Sequence, residues 1–172
     1  KSIPVSAGLG GGSANSASII RYFLNKKKID DIEKIIKFSK CLGADVPACI
    51  YSRPIFMEGI GEKISFIALK KNLDIGIVLI NPCIELSTKE VFSQYVPKHE
   101  KILEKKILKV DFLQDFLEIV YIGNDLEKTA IKIVPEIKLI LSLFKKSDNC
   151  LNFGMSGSGP TCYGILANKK IA

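Results

Sequence analysis

The residues with the clearest chemical content stand almost at the start of the chain: Pro4-Val5-Ser6-Ala7-Gly8-Leu9-Gly10-Gly11-Gly12-Ser13-Ala14-Asn15, a glycine-rich run leading straight into a helical pattern. Glycine admits backbone conformations closed to other residues and lets the chain approach a ligand closely, while the first amides of a helix have no intrahelical acceptor. Together they make a cradle for an anion, phosphate above all, against the plainer reading of a structural turn. Spacing argues against two other phosphate loops. A Walker A loop requires a lysine after its last glycine, and Ser13 stands there. A dinucleotide fingerprint requires a third glycine three residues after the second, and Ser13 occupies that place too, with no long apolar strand before the loop.

Two further runs carry chemistry. In Leu42-Gly43-Ala44-Asp45-Val46-Pro47-Ala48-Cys49, a carboxylate is set among small and apolar residues, where full burial is costly without a partner or a task. As a general base or a hydroxyl-orienting group, Asp45 would contribute ~10²–10⁴-fold to a phosphoryl transfer. Its competing reading is a cap or turn residue. Gly154-Met155-Ser156-Gly157-Ser158-Gly159-Pro160-Thr161 is a second glycine-rich turn. It reads either as a hairpin connection or, being longer than a hairpin requires, as a set of N–H and hydroxyl donors for an anion.

The elements that must position these runs are legible from periodicity. Ser13 to Asn25 predicts a helix capped by Ser13, and Ile32 to Leu42 a second one, preceded by Asp30 and Asp31 and stopped by Gly43. Short strands are expected between Val46 and Ile67, broken by Pro54, Gly59 and Gly61, and a buried strand over Ile75 to Ile80. Helical stretches follow over Ser87 to Tyr95, Asp111 to Val120 and Asp125 to Lys146, the last to be kinked or split at Pro135. Cys150 to Phe153 and Thr161 to Leu166 read as two strands joined by the second glycine turn. Helices and strands alternate without a strict β-α-β period, so we expect α+β layers in two domains, residues 1–70 and 71–172.

Composition narrows the function. The 172 residues are 47% hydrophobic and 25% charged, which describes an ordered globular chain. A net charge of +7 suits an anionic partner, yet the lysines fall in short runs (Lys26 to Lys28, Lys105 and Lys106, Lys145 and Lys146) that read as solvated helix faces, and abundant isoleucine and lysine fit an AT-rich coding sequence. No aromatic-plus-basic pattern accompanies them, so we expect no nucleic-acid partner. Cys41, Cys49, Cys83, Cys150 and Cys162 form an odd set without a C-x-x-C pair, and His99 is the single histidine. Reduced thiols in a cytoplasmic protein follow as the expectation. No apolar run approaches the ~20 residues that cross a bilayer, and no signal peptide precedes the loop, so no membrane role is expected. The chain opens at Lys1, with only Ser2 to Val5 ahead of a loop that a strand normally aims. We therefore expect a fragment lacking amino-terminal strands.

In this order the three motifs resemble the GHMP kinases, named for galactokinase, homoserine kinase, mevalonate kinase and phosphomevalonate kinase. Within them the chain is most similar to the 4-diphosphocytidyl-2-C-methyl-D-erythritol kinases. That branch is favoured by Gly8-Leu-Gly-Gly-Gly-Ser13, where homoserine and mevalonate kinases tend to Gly-Leu-Gly-Ser-Ser, and by Leu42 to Pro47. Asn81-Pro82, Ser87-Thr88, Phe92 and Asn124-Asp125-Leu126-Glu127 also match. The resemblance implies an incomplete amino-terminal α/β domain followed by a ferredoxin-like carboxy-terminal domain, and transfer of phosphate from ATP to the 2-hydroxyl of the cytidyl substrate. It implies ATP contacts at Lys1, Pro4, Val5, Ala7, Gly8, Leu9, Gly10, Gly11, Gly12, Ser13 and Asn15 and at Ser156, Gly157, Ser158 and Gly159, with Lys1 and Val5 near the adenine. Asp45 would face the acceptor hydroxyl, Thr88 and Phe92 would contact the substrate, and Phe92 would stack on cytosine. Mg²⁺ is expected with ATP, Ser13 being the candidate ligand. The family's amino-terminal lysine is not in this chain, so we expect little or no kinase activity from it alone, and a separately encoded amino-terminal piece as a partner. The alternatives are another GHMP small-alcohol kinase, of homoserine or mevalonate type, and a non-catalytic split-gene remnant.

Overall fold

A computed structural model describes residues 4–27, 32–59, 61, 63–69, 74–97, 109–168 and 170. Along the chain run α1 (Gly11–Lys27), α2 (Ile32–Ser39) with a 3-10 turn at Lys40–Leu42, α3 (Val46–Tyr51), β1 (Ile55–Glu58), β2 (Lys63–Phe66) and β3 (Ala68–Leu69). Then come β4 (Gly76–Ile80), α4 (Thr88–Gln94), β5 (Lys109–Val110), α5 (Leu113–Val120), α6 (Glu127–Ile133), α7 (Glu136–Lys146), β6 (Cys150–Met155) and β7 (Cys162–Leu166). The chain is thus the mixed α+β protein that the patterns predict. It packs as two compact units, one of Gly10–Leu69 with Lys105–Val110, the other of Lys1–Leu9, Lys70–Glu104 and Asp111–Ala172.

In the Gly10–Leu69 unit, α1 and α2 pack on α3 around Ala17, Ile36, Val46 and Ile50. β1 and β2 form an antiparallel hairpin, and β3 pairs in parallel with β5. Two expectations are corrected here. The stretch from Val46, expected as strand, begins instead with helix α3. Pro47 sits in its first turn, where no intrahelical amide is needed, and Val46 and Ile50 are buried one turn apart. Ser13 is not the cap of α1. The helix begins at Gly11, the Ala14 amide already donates to the Gly10 carbonyl at 2.8 Å, and the entry residue Gly10 has φ +62. Glycine enters a helix through that left-handed conformation without the strain a side chain would bring. The expected caps Asp30 and Asp31 lie outside the described residues.

In the other unit, β4, β7 and β6 form an antiparallel sheet in that order, with Val78 opposite Gly164 and Phe153 opposite the same residue on the far side. One sheet face packs against α7, and α6 joins the same core beside it. The break at Pro135 separates these two helices as expected, and α7 turns Ile137, Ile140, Leu141 and Phe144 inward at helical spacing. Buried Leu86 and Val91 bring the start of α4 into the same core. Among the described residues no helix is long and apolar enough to cross a membrane.

Cys162 gives this core a pH signature. The residue is fully buried, and burial, followed by the negative charge of Glu127, pushes its thiol from the ordinary 9.0 up to about 12. In the unfolded chain the same thiol ionises near its ordinary value, so above that pH unfolding releases a proton. The stabilisation is whole below pH 9.0 and is lost as pH rises toward 12. We expect the melting temperature to fall between pH 9 and 11 and that part of the fall to vanish in Cys162→Ala, measured against Cys41→Ala, whose thiol is exposed.

Candidate functional site

The first glycine run reaches α1 at its amino end. This helix is 17 residues long with no acidic residue in its first turn, so nothing there neutralises the positive end of its dipole. The amides of Gly11, Gly12 and Ser13 precede the first i to i−4 bond and have no acceptor within the helix. Gly12 is exposed, and a Cβ added to it would meet no protein atom within 4 Å. Packing therefore does not require glycine at this helical position, where it costs about 1 kcal/mol relative to alanine. A ligand brought close to the backbone would require it.

The Asp45 turn lies beside this helix start. A Cβ on Gly43 would stand 3.8 Å from the Ser13 hydroxyl oxygen and 3.5 Å from Val46 Cγ2. Asp45 occupies the N-cap position of α3, yet its side chain makes no capping hydrogen bond and the residue is exposed. The position is that of a cap, but the side chain does not do a cap's work. Its charge is felt one turn further on: burial first, then the Asp45 carboxylate, raise the Cys49 thiol, with the Arg21 guanidinium pulling the other way. Asn15 is exposed on α1.

In the other unit, the leading half of the first run docks on the second. Ala7 is buried, and its carbonyl accepts from the Thr161 amide at 3.3 Å. Gly8, with φ +71, accepts from the Ser156 hydroxyl at 2.9 Å. Its missing side chain is dictated by the protein, since an added Cβ would stand 2.6 Å from the Ser156 carbonyl oxygen and closer still to that of Gly159. The second run closes on itself through the Ser156 amide to the Thr161 carbonyl and the Gly159 amide to the Ser156 carbonyl, each 2.9 Å. Gly157 and Gly159 both have positive φ. The Ser158 hydroxyl is buried and shares a 2.8 Å hydrogen bond with Thr88 Oγ1 at the start of α4. Phe92, one turn after Thr88, is 56% exposed. Pro4 and Val5 are exposed, and Lys1 lies outside the described residues.

The expected site residues thus fall into sets: Ser13 beside the Asp45 turn in one unit, and Gly8 with Ser156, Gly157 and Gly159, and Thr88 with Ser158, in the other. The hydroxyls of Ser156 and Ser158, read from sequence as donors for an anion, are engaged within the protein. Among the described residues no group of three or more histidine, cysteine or acidic residues could hold a metal ion by itself.

Three residues carry structural work around the second run that sequence reading did not assign. Asn81 Nδ2 donates to Thr161 Oγ1 at 2.7 Å, Asn124 Nδ2 donates to the Met155 and Gly157 carbonyls at 2.8 and 2.7 Å, and Glu127 Oε2 accepts from the Met155 amide at 3.3 Å. Their only signal in the sequence is their membership of the Asn-Pro and Asn-Asp-Leu-Glu runs.

The family model described as GHMP kinases N terminal domain matches residues 1–53, and that described as GHMP kinases C terminal matches residues 106–172. The 4-diphosphocytidyl-2-C-methyl-D-erythritol kinase of Bartonella tribocorum is 36% identical over 180 residues, covering 100% of this chain and 58% of that protein. The kinase of the same name from Wolbachia sp. subsp. Brugia malayi is 38% identical over 174 residues, with 100% and 59% covered. A crystal structure of 4-(cytidine 5'-diphospho)-2C-methyl-D-erythritol kinase matches with a TM-score of 0.71 at 25% identity, over 98% of this chain and 60% of that one. The chain therefore spans about three fifths of the length of these relatives. With the first glycine run and the Asp45 turn inside one matched half of the family and the second glycine run inside the other, the chain belongs to the GHMP kinase family.

Proposed function

We propose that this chain forms part of a cytoplasmic enzyme that transfers the γ-phosphoryl group of ATP to the 2-hydroxyl of 4-diphosphocytidyl-2-C-methyl-D-erythritol, releasing ADP. The observation that carries the proposal is the first turn of α1, whose amides face no acidic residue and whose Gly12 is spared a side chain without any packing reason. Residues 1–70 are the remainder of the amino-terminal ATP-binding domain and 71–172 the carboxy-terminal domain. Lys1, Pro4, Val5, Ala7, Asn15 and the run Gly8 to Ser13 hold the nucleotide, with Ser156 to Gly159 closing on its phosphates. Asp45 orients or deprotonates the acceptor hydroxyl, Thr88 meets the substrate, and Phe92 offers an exposed ring for the cytosine. The relatives' printed names support this choice of acceptor. Mg²⁺, which tolerates one or two protein ligands when phosphates supply the rest, would neutralise charge on the triphosphate, with Ser13 as its protein contact.

Gly12→Ala tests the cradle directly. Alanine relieves a helical glycine, so stability is expected to rise by up to about 1 kcal/mol. The added methyl fills the space a polyphosphate needs, so ATP affinity is expected to fall at least tenfold by calorimetry. A variant that is both more stable and unimpaired in ATP binding would refute the cradle. Acceptor choice is tested by ADP release with the cytidyl substrate, homoserine and mevalonate in parallel, and a preference for either of the last two would overturn the assignment.

A further inference from the structure

Asn124 sits where three segments converge, and its carboxamide is used on both sides. The Oδ1 atom accepts from the Leu126 amide at 3.0 Å, which with the Glu127 amide bonded to the Asn124 carbonyl at 3.1 Å starts the turn into α6. The Nδ2 group donates in the opposite direction, to the Met155 and Gly157 carbonyls that bracket the entrance of the second glycine run. One planar group thereby ties a loop to a helix that packs in the core, at a sequence separation of 31 and 33 residues. Resting on the nucleotide-binding reading above, we infer that Asn124 is a positioning residue: its two N–H donors fix the peptide planes that follow Met155 and Gly157, the first carrying the Ser156 amide that closes the loop and the second the Ser158 amide, which is thereby aimed at the phosphates.

The physical reasoning runs through the loop's own bonds. Its internal backbone ties use the amides of Ser156 and Gly159, that of Thr161 donates to the Ala7 carbonyl, and among the described residues those of Gly157 and Ser158 bond to no backbone carbonyl. Successive amides of this kind, next to left-handed Gly157 and Gly159, form the concave donor set that receives an anion. Such a set works only if the peptide planes are fixed beforehand, because a loop that must be ordered by its ligand loses affinity to that ordering. A carbonyl held by a donor fixes the plane, and hence the direction of the amide that follows it. Met155 and Gly157 are the residues immediately before Ser156 and Ser158. The Ser158 side is also fixed through Thr88, so the entrance is where Asn124 is needed.

The competing explanation is that Asn124 merely starts α6. Two variants separate the roles. Asn124→Asp keeps the Oδ1 acceptor, and aspartate serves such a turn as well as asparagine. It replaces both donors by a carboxylate oxygen facing two carbonyl oxygens. Asn124→Ala removes both functions. We expect amide exchange across residues 154–161 to quicken at least tenfold in both variants, and ATP affinity to fall on the order of tenfold or more in both, with Asn124→Asp no better than Asn124→Ala. Wild-type exchange and wild-type affinity in Asn124→Asp would overturn the inference and leave only the helix-start role. Faster exchange with unchanged affinity would overturn it as well. If the unsubstituted chain binds no ATP, the functional reading above falls, whereas the exchange rates of the two variants still decide whether Asn124 holds the loop.

Discussion

Alanine at position 8 is expected to undock the two glycine loops and to weaken ATP binding at least a hundredfold while leaving both cores folded. Three penalties coincide at this residue. A φ of +71 costs an L-residue about 1–2 kcal/mol. The new Cβ would press on the carbonyl oxygens of Ser156 and Gly159, which are backbone atoms and cannot swing aside as the end of a long side chain does. Retreat of the Gly8 strand would then break the hydrogen bond from the Ser156 hydroxyl and, beside it, that from the Thr161 amide to Ala7. Each such bond is worth about 1 kcal/mol net, so the sum exceeds the roughly 2.8 kcal/mol that corresponds to a hundredfold change at about 1.4 kcal/mol per tenfold. The packed cluster of Leu86, Val91, Ile137, Phe144 and Met155 lies outside this contact, so circular dichroism should keep its helical content. The pair Gly8→Ala and Gly12→Ala is informative because the two glycines are absent of side chain for different reasons. At Gly8 the obstacle is the protein itself, so stability and binding fall together. At Gly12 it is the ligand, so stability rises while binding falls. Equal affinity for ATP in Gly8→Ala and the parent chain would show that the docked arrangement of the loops is not needed to hold nucleotide.

How much of this was readable beforehand depends on how local each cause is. The helices over Ile32–Ser39 and Glu136–Lys146, the break at Pro135 and the strands from Gly76 and Cys162 follow from side-chain periodicity and from proline's missing amide, and they lie within a few residues of expectation. The segment Val46–Tyr51 reads as strand from sequence because valine, isoleucine and tyrosine outweigh one alanine in propensity, yet it is helix α3. Its outcome is set by burial of Val46 and Ile50 against α1, and single-sequence propensity does not contain that contact. Ser13 fitted the residue type of a cap, but the helix starts two residues earlier because Gly10 already provides the turn. The chemistry-bearing runs were visible as runs. Their mutual contacts were not, since Ser156 reaches Gly8 across 148 residues and Asn81 reaches Thr161 across 80. Asparagines that brace a loop from such distances carry no local pattern, and their work becomes legible only when the donors and acceptors are placed.

Asp45→Asn is the sharpest test of the chemistry, because it separates a carboxylate that reacts from one that caps. Asparagine is as good an N-cap as aspartate, so a purely structural Asp45 predicts no change in phosphoryl transfer. The side chain makes no capping bond and is exposed, so the melting temperature is expected to stay where it is in either case. Two other quantities should move. Phosphoryl transfer to the cytidyl substrate, wherever the enzyme turns over, is expected to fall by ~10²–10⁴, the usual contribution of a group that accepts or orients the acceptor proton. ATP affinity should hold or improve, because a negative charge is removed from the neighbourhood of an anionic ligand, which is the opposite of the effect in Gly8→Ala. A third readout is independent of turnover. The Asp45 charge helps to raise the Cys49 thiol, so Asp45→Asn should shift the pH profile of Cys49 alkylation toward lower pH. Burial, the larger cause, remains, so the shift should be partial. Unchanged transfer together with a shifted Cys49 profile would leave Asp45 as a charge near the first turn of α1 and return the acceptor's proton to another group.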